Sequence, residues 1–191
     1  NEERHHPGPW ADFESDKFMM QVPTSWIYNY DDPVTLMEDW DKSMDAVTEL
    51  FGRPQVLNIT VLYVQPDVMI RGGAYFPGYP QTNTTYSPTR DVDGNKNHYF
   101  LKGPQYTPSH TFHELGHAQL FTKFAGETEA VVNLPYVAVQ NGKFGMPLNE
   151  AFGRSFRNPN MTLNKAAINW MVTENFRQGE RMESSQMAYQ H

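Results

Sequence analysis

His113, Glu114 and His117 stand in the run His113-Glu-Leu-Gly-His117, an H-E-x-x-H spacing. Residues four apart share one face of a helix, so both imidazoles can point at one metal ion. Glu114, beside the first of them, is placed to take a proton from an attacking water. The chemistry implied is hydrolysis assisted by zinc. The bland alternative is an exposed helix that happens to carry two histidines, so the flanking residues must show that the helix is a built one.

They predict a buried helix. Thr107-Pro108 reads as an N-cap followed by proline at the first helical position, where its missing N–H costs nothing. Ser109 and Thr111 offer further capping oxygens, and Thr111-x-x-Glu114 has capping-box spacing. Phe112, Leu115, Leu120, Phe121 and Phe124 supply apolar surface, and Gly126 is the predicted stop. Gly116 costs about 1 kcal/mol of helix propensity relative to alanine. Its bare Cα lets another backbone, or the metal site itself, approach closely.

A catalytic zinc site uses three protein ligands and keeps one position open. The chain has no cysteine, so the ligands must be imidazoles and carboxylates. Glu127, Glu129 and Glu150 lie downstream, and the pentad alone does not choose among them. Glu129 is favoured, because Glu129-Ala-Val-Val-Asn133 can start a second helix with Asn133 one turn below the carboxylate. From there its amide can hydrogen-bond a ligand histidine from behind. Glu127 reads as a first-turn acid favoured by the helix dipole. Glu150 is the rival, since Leu148-Asn149-Glu150-Ala151 resembles the Asn-Glu-Ala segment of thermolysin-like enzymes. Arg154, however, sits where that motif places an aspartate.

The run His113-Glu-Leu-Gly-His117, then Gly126-Glu-Thr-Glu129, then Asn133-Leu resembles the M60-like (enhancin-type) zinc peptidases. Three further stretches are similar to that family. They are Asp39-Trp40-Asp41 within a helix ending Glu49-Leu-Phe-Gly52, Pro77-Gly-Tyr-Pro80, and Trp170-Met-Val-Thr-Glu-Asn-Phe-Arg-Gln-Gly179. The pentad is shared by many zincins; the combination is what is specific. The resemblance implies a gluzincin-type, zincin-like domain with one catalytic zinc held by His113, His117 and Glu129. It also implies a secreted or cell-surface setting and glycoprotein substrates such as O-glycosylated mucins. The family's catalytic domains are longer, so a fragment, a minimal version or one module of a larger protein is expected. Leu134-Pro135-Tyr136 departs from the pattern, since a proline early in the third-ligand helix should kink or shorten it.

At 191 residues with 39% hydrophobic and 14% aromatic content, the chain suits one domain with a substantial core. A formal charge of −7 and dispersed arginines argue against nucleic-acid binding. No apolar run is long enough to span a bilayer. The chain starts at Asn1 without methionine and is read as processed or excised. Residues 1–16 are expected as a loose N-terminal arm, and 17–191 as the peptidase-like domain.

The fold class expected is α+β: a mixed sheet packed on the pentad helix, followed by a helical part. Lys17 to Tyr30 reads as extended segments broken by Pro23. Asp32-Pro33 opens a helix whose Leu36, Met37, Trp40, Met44, Val47, Leu50 and Phe51 follow helical spacing, ended by Gly52 and Pro54. Val56 to Val64 alternates, with Ile59, Val61 and Tyr63 on one side. Val68 to Tyr79 is a strand that can form the cleft edge for an extended peptide. Short helices are expected around Pro147 to Phe156 and over Thr162 to Arg177. Asp91, Asp93 and Asn95 concentrate oxygen ligands, but the glycine placement of a calcium loop is missing, and a polar turn is the better reading. His98 and His110 read as surface or satisfied core residues before substrate-side donors. Tyr79, Tyr99, Tyr136 and Arg154 are open candidates for an oxyanion donor.

Overall fold

Alternation along Phe18–Pro23 puts Phe18, Met20 and Val22 on one face, and in the computed structural model that face is fully buried. The structure describes residues 8–51, 62–66, 75–76, 80–83, 98–120, 131–155 and 172. Its strands are β1 (Trp10–Glu14), β2 (Phe18–Pro23), β3 (Leu62–Pro66), β4 (Tyr75–Phe76) and β5 (Gln81–Asn83), in one sheet of order β1-β2-β3-β5-β4. β2, β3 and β5 run parallel, while β1 and β4 flank them antiparallel. Parallel β2 and β3 require a long crossover, and α1 (Pro33–Phe51) lies within it.

Helix α1 begins and ends where its residues predict. Asp32 accepts the Thr35 backbone N–H through its side chain, 3.1 Å, which is the N-cap arrangement. That bond, with the Thr35 hydroxyl, holds the Asp32 carboxyl below its ordinary range. Leu36, Met37, Trp40, Met44, Val47 and Phe51 are buried, whereas Leu50 is exposed. Trp40 makes the main junction. Its ring stacks on Phe18 of β2 at 4.1 Å between centroids and lies 6.0 Å from Phe112. Its Nε1–H donates to the Phe100 carbonyl, 3.3 Å.

Further helices among the described residues include α2 (Tyr99–Lys102), α3 (Ser109–Leu120), α4 (Leu134–Gly142) and α5 (Leu148–Ser155). α3 carries the H-E-x-x-H pentad, and α4 packs against α1, α3 and α5. The architecture is mixed α+β. No described helix is long and apolar enough to cross a membrane.

Several expectations need correction. Residues 10–14 of the expected loose arm form β1, paired with β2 in the register Trp10↔Pro23 to Glu14↔Met19. In β3, Leu62 and Val64 are buried and Tyr63 is half-buried, while Ile59 and Val61 of the expected alternation fall outside the described residues. Thr107 does not cap α3; its hydroxyl donates back to the Gly103 carbonyl at 3.1 Å, closing the turn at Pro104–Tyr106. Thr111 lies inside α3, fully buried, so the capping-box spacing is not used. The polar turn expected at Asp91, Asp93 and Asn95, the stop at Gly126 and the helix over Thr162 to Arg177 fall outside the described residues, apart from helical Val172.

His98 is a core residue. It is 6% exposed, with Trp26, Tyr99 and Phe100 rings at 4.5, 4.2 and 5.0 Å. Its Nδ1 accepts the Phe100 N–H at 3.2 Å, capping α2. Burial pushes its pKa down to about 4. Between that value and the unfolded value near 6.5, only the unfolded chain takes up the proton. Folding stability should therefore be full above about pH 6.5 and fall as pH drops toward 4, by roughly 3 kcal/mol at this site. Urea unfolding across that range measures the loss. His98→Asn, which retains a capping oxygen, should be weaker at neutral pH but show a smaller acid loss; an unchanged acid loss would place the titration elsewhere.

Candidate metal centre

Phe112 and Leu115 are buried to 0% and 1% exposure and turn one face of α3 into the core. The pentad histidines thereby take the neighbouring face, where His113 is 3% exposed and His117 and Glu114 are half-buried. The two rings stand nearly perpendicular, at 78°, with centroids 4.9 Å apart. His113 Nε2 and His117 Nε2 lie 3.2 Å from each other.

Which proton sits where follows from the next contact. His113 Nδ1 is 2.9 Å from Asn133 Oδ1. An amide oxygen only accepts, so Nδ1 carries the proton and donates it. Nε2 is then left with its lone pair toward His117. Two such nitrogens need a cation or a proton between them. Zinc–nitrogen bonds of about 2.05 Å in a tetrahedral site separate two nitrogens by about 3.3 Å, so the pair fits that ion. Imidazole donors suit zinc, as they suit copper, iron and nickel, and a backing amide fixes the tautomer of the ring.

Asn133 lies in a turn that follows helical Val131. Val132 and Asn133 form a turn, and α4 starts at Leu134 with Asn133 in the N-cap position. Pro135 falls in the first turn of α4, where a proline is tolerated. The helical run is interrupted at Val132–Asn133, just ahead of this proline, in keeping with the expected kink or shortening. Ser155 of α5 donates its hydroxyl to the Asn133 carbonyl at 2.8 Å, so α5 steadies the residue that steadies His113. Nothing local in the sequence marks Ser155 for this.

Gly116 has the predicted close neighbour. A Cβ there would stand 3.2 Å from Val132 Cβ and 3.2 Å from Pro135 Cγ. That is tighter than ordinary contact, so the missing side chain lets the Asn133 turn lie against α3.

Glu129 and Glu127 lie outside the described residues. Glu150, on α5, is an exposed residue ion-paired with Arg154 at 2.6 Å. Among the described residues no third histidine or carboxylate joins the imidazole pair. Of the oxyanion candidates, Tyr79 is outside the described residues, and Tyr99 packs on the His98 ring. Tyr136 is buried beside Phe112, and burial raises its hydroxyl pKa while Arg154 opposes the rise by charge and hydrogen bond. β4, at one edge of the sheet, lies against α3, within the stretch predicted to edge a cleft.

The sequence pattern of the family described as "Peptidase M60, enhancin and enhancin-like" matches residues 1–187. Among curated proteins, a TRPM8 channel-associated factor homolog of Xenopus laevis is 34% identical over 151 residues, 78% of this chain and 16% of that protein. TRPM8 channel-associated factor 2 of Bos taurus is 31% identical over 76% of this chain and 15% of its own length. TRPM8 channel-associated factor 3 of Rattus norvegicus is 28% identical over 88% and 19%. The chain thus spans less than a fifth of each of these relatives. No solved structure matches it.

Two substitutions should loosen the centre without touching a ligand. Asn133→Ala should lower zinc affinity about 10- to 100-fold, and Gly116→Ala should act in the same direction by pushing the turn away. Competition against a chromophoric chelator reads both; unaltered affinity in Asn133→Ala would mean that the amide does not support a metal ligand.

Proposed function

The chain belongs to the peptidase M60, enhancin and enhancin-like, family, and from that membership we propose that it is a zinc-dependent endopeptidase acting on glycoprotein substrates. The observation that carries the reading is the imidazole pair, Nε2 to Nε2 at 3.2 Å with His113 held in one tautomer by Asn133. His113 and His117 would hold the ion, with Glu129 as the third ligand. Zinc, when bound, supplies a Lewis acid that acidifies water and polarises a carbonyl. Glu114, half-buried on the same helix, takes the proton of the attacking water and returns it to the leaving amine. Asn133 keeps the His113 lone pair aimed. The substrate class, O-glycosylated mucin-type protein in a secreted or cell-surface setting, follows the family resemblance.

A second reading has its own support. The relatives are named for association with the TRPM8 channel, which describes binding. The domain would then be a zinc-containing module that recognises a glycoprotein, a channel protein included, with little or no turnover. Glu114 favours the peptidase, since a purely binding site needs no base beside its ligand.

Zinc content measured beside cleavage of an O-glycosylated mucin separates the two. Glu114→Gln should retain one zinc and lose at least about a hundredfold in cleavage rate. Zinc with mucin binding but no cleavage in either form would select the binding module, and an undiminished rate in the variant would remove Glu114 as base.

A further inference from the structure

At the sheet edge opposite β4 lies a groove of about 810 Å³ between β1 and the first three turns of α1. One wall is the strand itself. In the β1–β2 ladder, Thr24 N–H donates to the Pro9 carbonyl at 3.0 Å and Ser15 N–H to the Phe18 carbonyl at 2.9 Å. Hydrogen-bonded pairs alternate with non-bonded ones in an antiparallel ladder, so Ala11 and Phe13 also face β2 with their peptide groups. The N–H and C=O groups of Trp10, Asp12 and Glu14 therefore point outward, and β1 pairs with no second strand among the described residues.

The other wall is the α1 stripe Val34, Met37, Glu38 and Asp41, spaced to share one helix face. Val34 is 67% exposed and Trp10 36%, so the groove offers apolar surface at its mouth. Among the described residues its charges have one sign: Asp12, Glu14, Glu38 and Asp41 line it, Asp41 already accepting from the Ser15 hydroxyl and the Lys17 N–H at 2.6 and 3.1 Å. The neighbouring cations are engaged elsewhere, Lys17 with Asp45 and Lys42 with Asp39.

An open strand edge recognises another extended backbone, and carboxylates along it select the charge of what binds. We propose that this groove is a second peptide site, remote from the imidazole pair, where an extended lysine- or arginine-bearing segment of a protein partner adds as a strand beside β1. The site holds the partner through the outward peptide groups of Trp10, Asp12 and Glu14. The carboxylates of Asp12 and Glu14, on the sheet face away from α1, meet its basic side chains, and Val34 on α1 takes the apolar ones that alternate with them. It stands whether or not the imidazole pair turns over substrate.

The test is fluorescence anisotropy with a labelled peptide of alternating lysine and valine. Binding should weaken at least about tenfold in the Asp12→Lys/Glu14→Lys double variant, and again when salt rises from about 50 to 500 mM. A glutamate–valine peptide should not bind. The lysine–valine peptide N-methylated at every residue keeps its charge but cannot pair with an edge, so it should lose binding on the unaltered protein. Removing zinc with a chelator should change nothing. Equal binding of the methylated peptide, an unaffected double variant, or loss of binding on chelation would each overturn the proposal. So would the absence of any binding, including the case where sedimentation shows the groove filled by a second copy of the chain.

Discussion

The indole of Trp40 is the plate on which the rest is assembled. β2 lies against it through Phe18, α3 approaches through Phe112, and the segment before α3 is tied to it by the Phe100 carbonyl. A fully buried tryptophan has one polar atom to satisfy, and here that atom fixes where the chain enters the pentad helix. The rotation of α3 follows. With Phe112 and Leu115 facing inward, His113 and His117 have no choice of side, and they meet.

The second constraint is the close approach of α3 to the turn before α4. It depends on the absence of a side chain at Gly116, and it brings Asn133 within hydrogen-bonding distance of His113. A chain of contacts runs from α5 through Ser155 to Asn133 to His113. Each link is an ordinary hydrogen bond worth about 1 kcal/mol, yet together they decide which imidazole nitrogen is available. Stability and chemistry are separated in this arrangement: the aromatic stack holds the helix, and the amide chain tunes the ring.

Sequence showed the parts with strong local signals. Asp32 and the apolar stripe of α1 define that helix to within a residue, because cap and period agree. The pentad, Gly116 and the Asn133 amide were legible for the same reason, each having a short-range chemical rationale. What failed was long-range or nearly degenerate. Trp10–Glu14 is short and follows a polar, proline-containing stretch, and only pairing with β2 makes it a strand. Thr107 and Thr111 carry hydroxyls that fit a cap, but the preceding turn and the core claim their positions. Ser155 gave no signal, since its partner lies 22 residues away in sequence.

X-ray absorption at the zinc edge, on the chain loaded with one equivalent of the ion, is the measurement to make. Two imidazole nitrogens at about 2.0–2.1 Å, with oxygen completing the shell, is the predicted spectrum, and one imidazole should disappear in His117→Ala. A spectrum without imidazole scattering, or failure to retain zinc through gel filtration, would contradict the metal centre on which the peptidase reading stands.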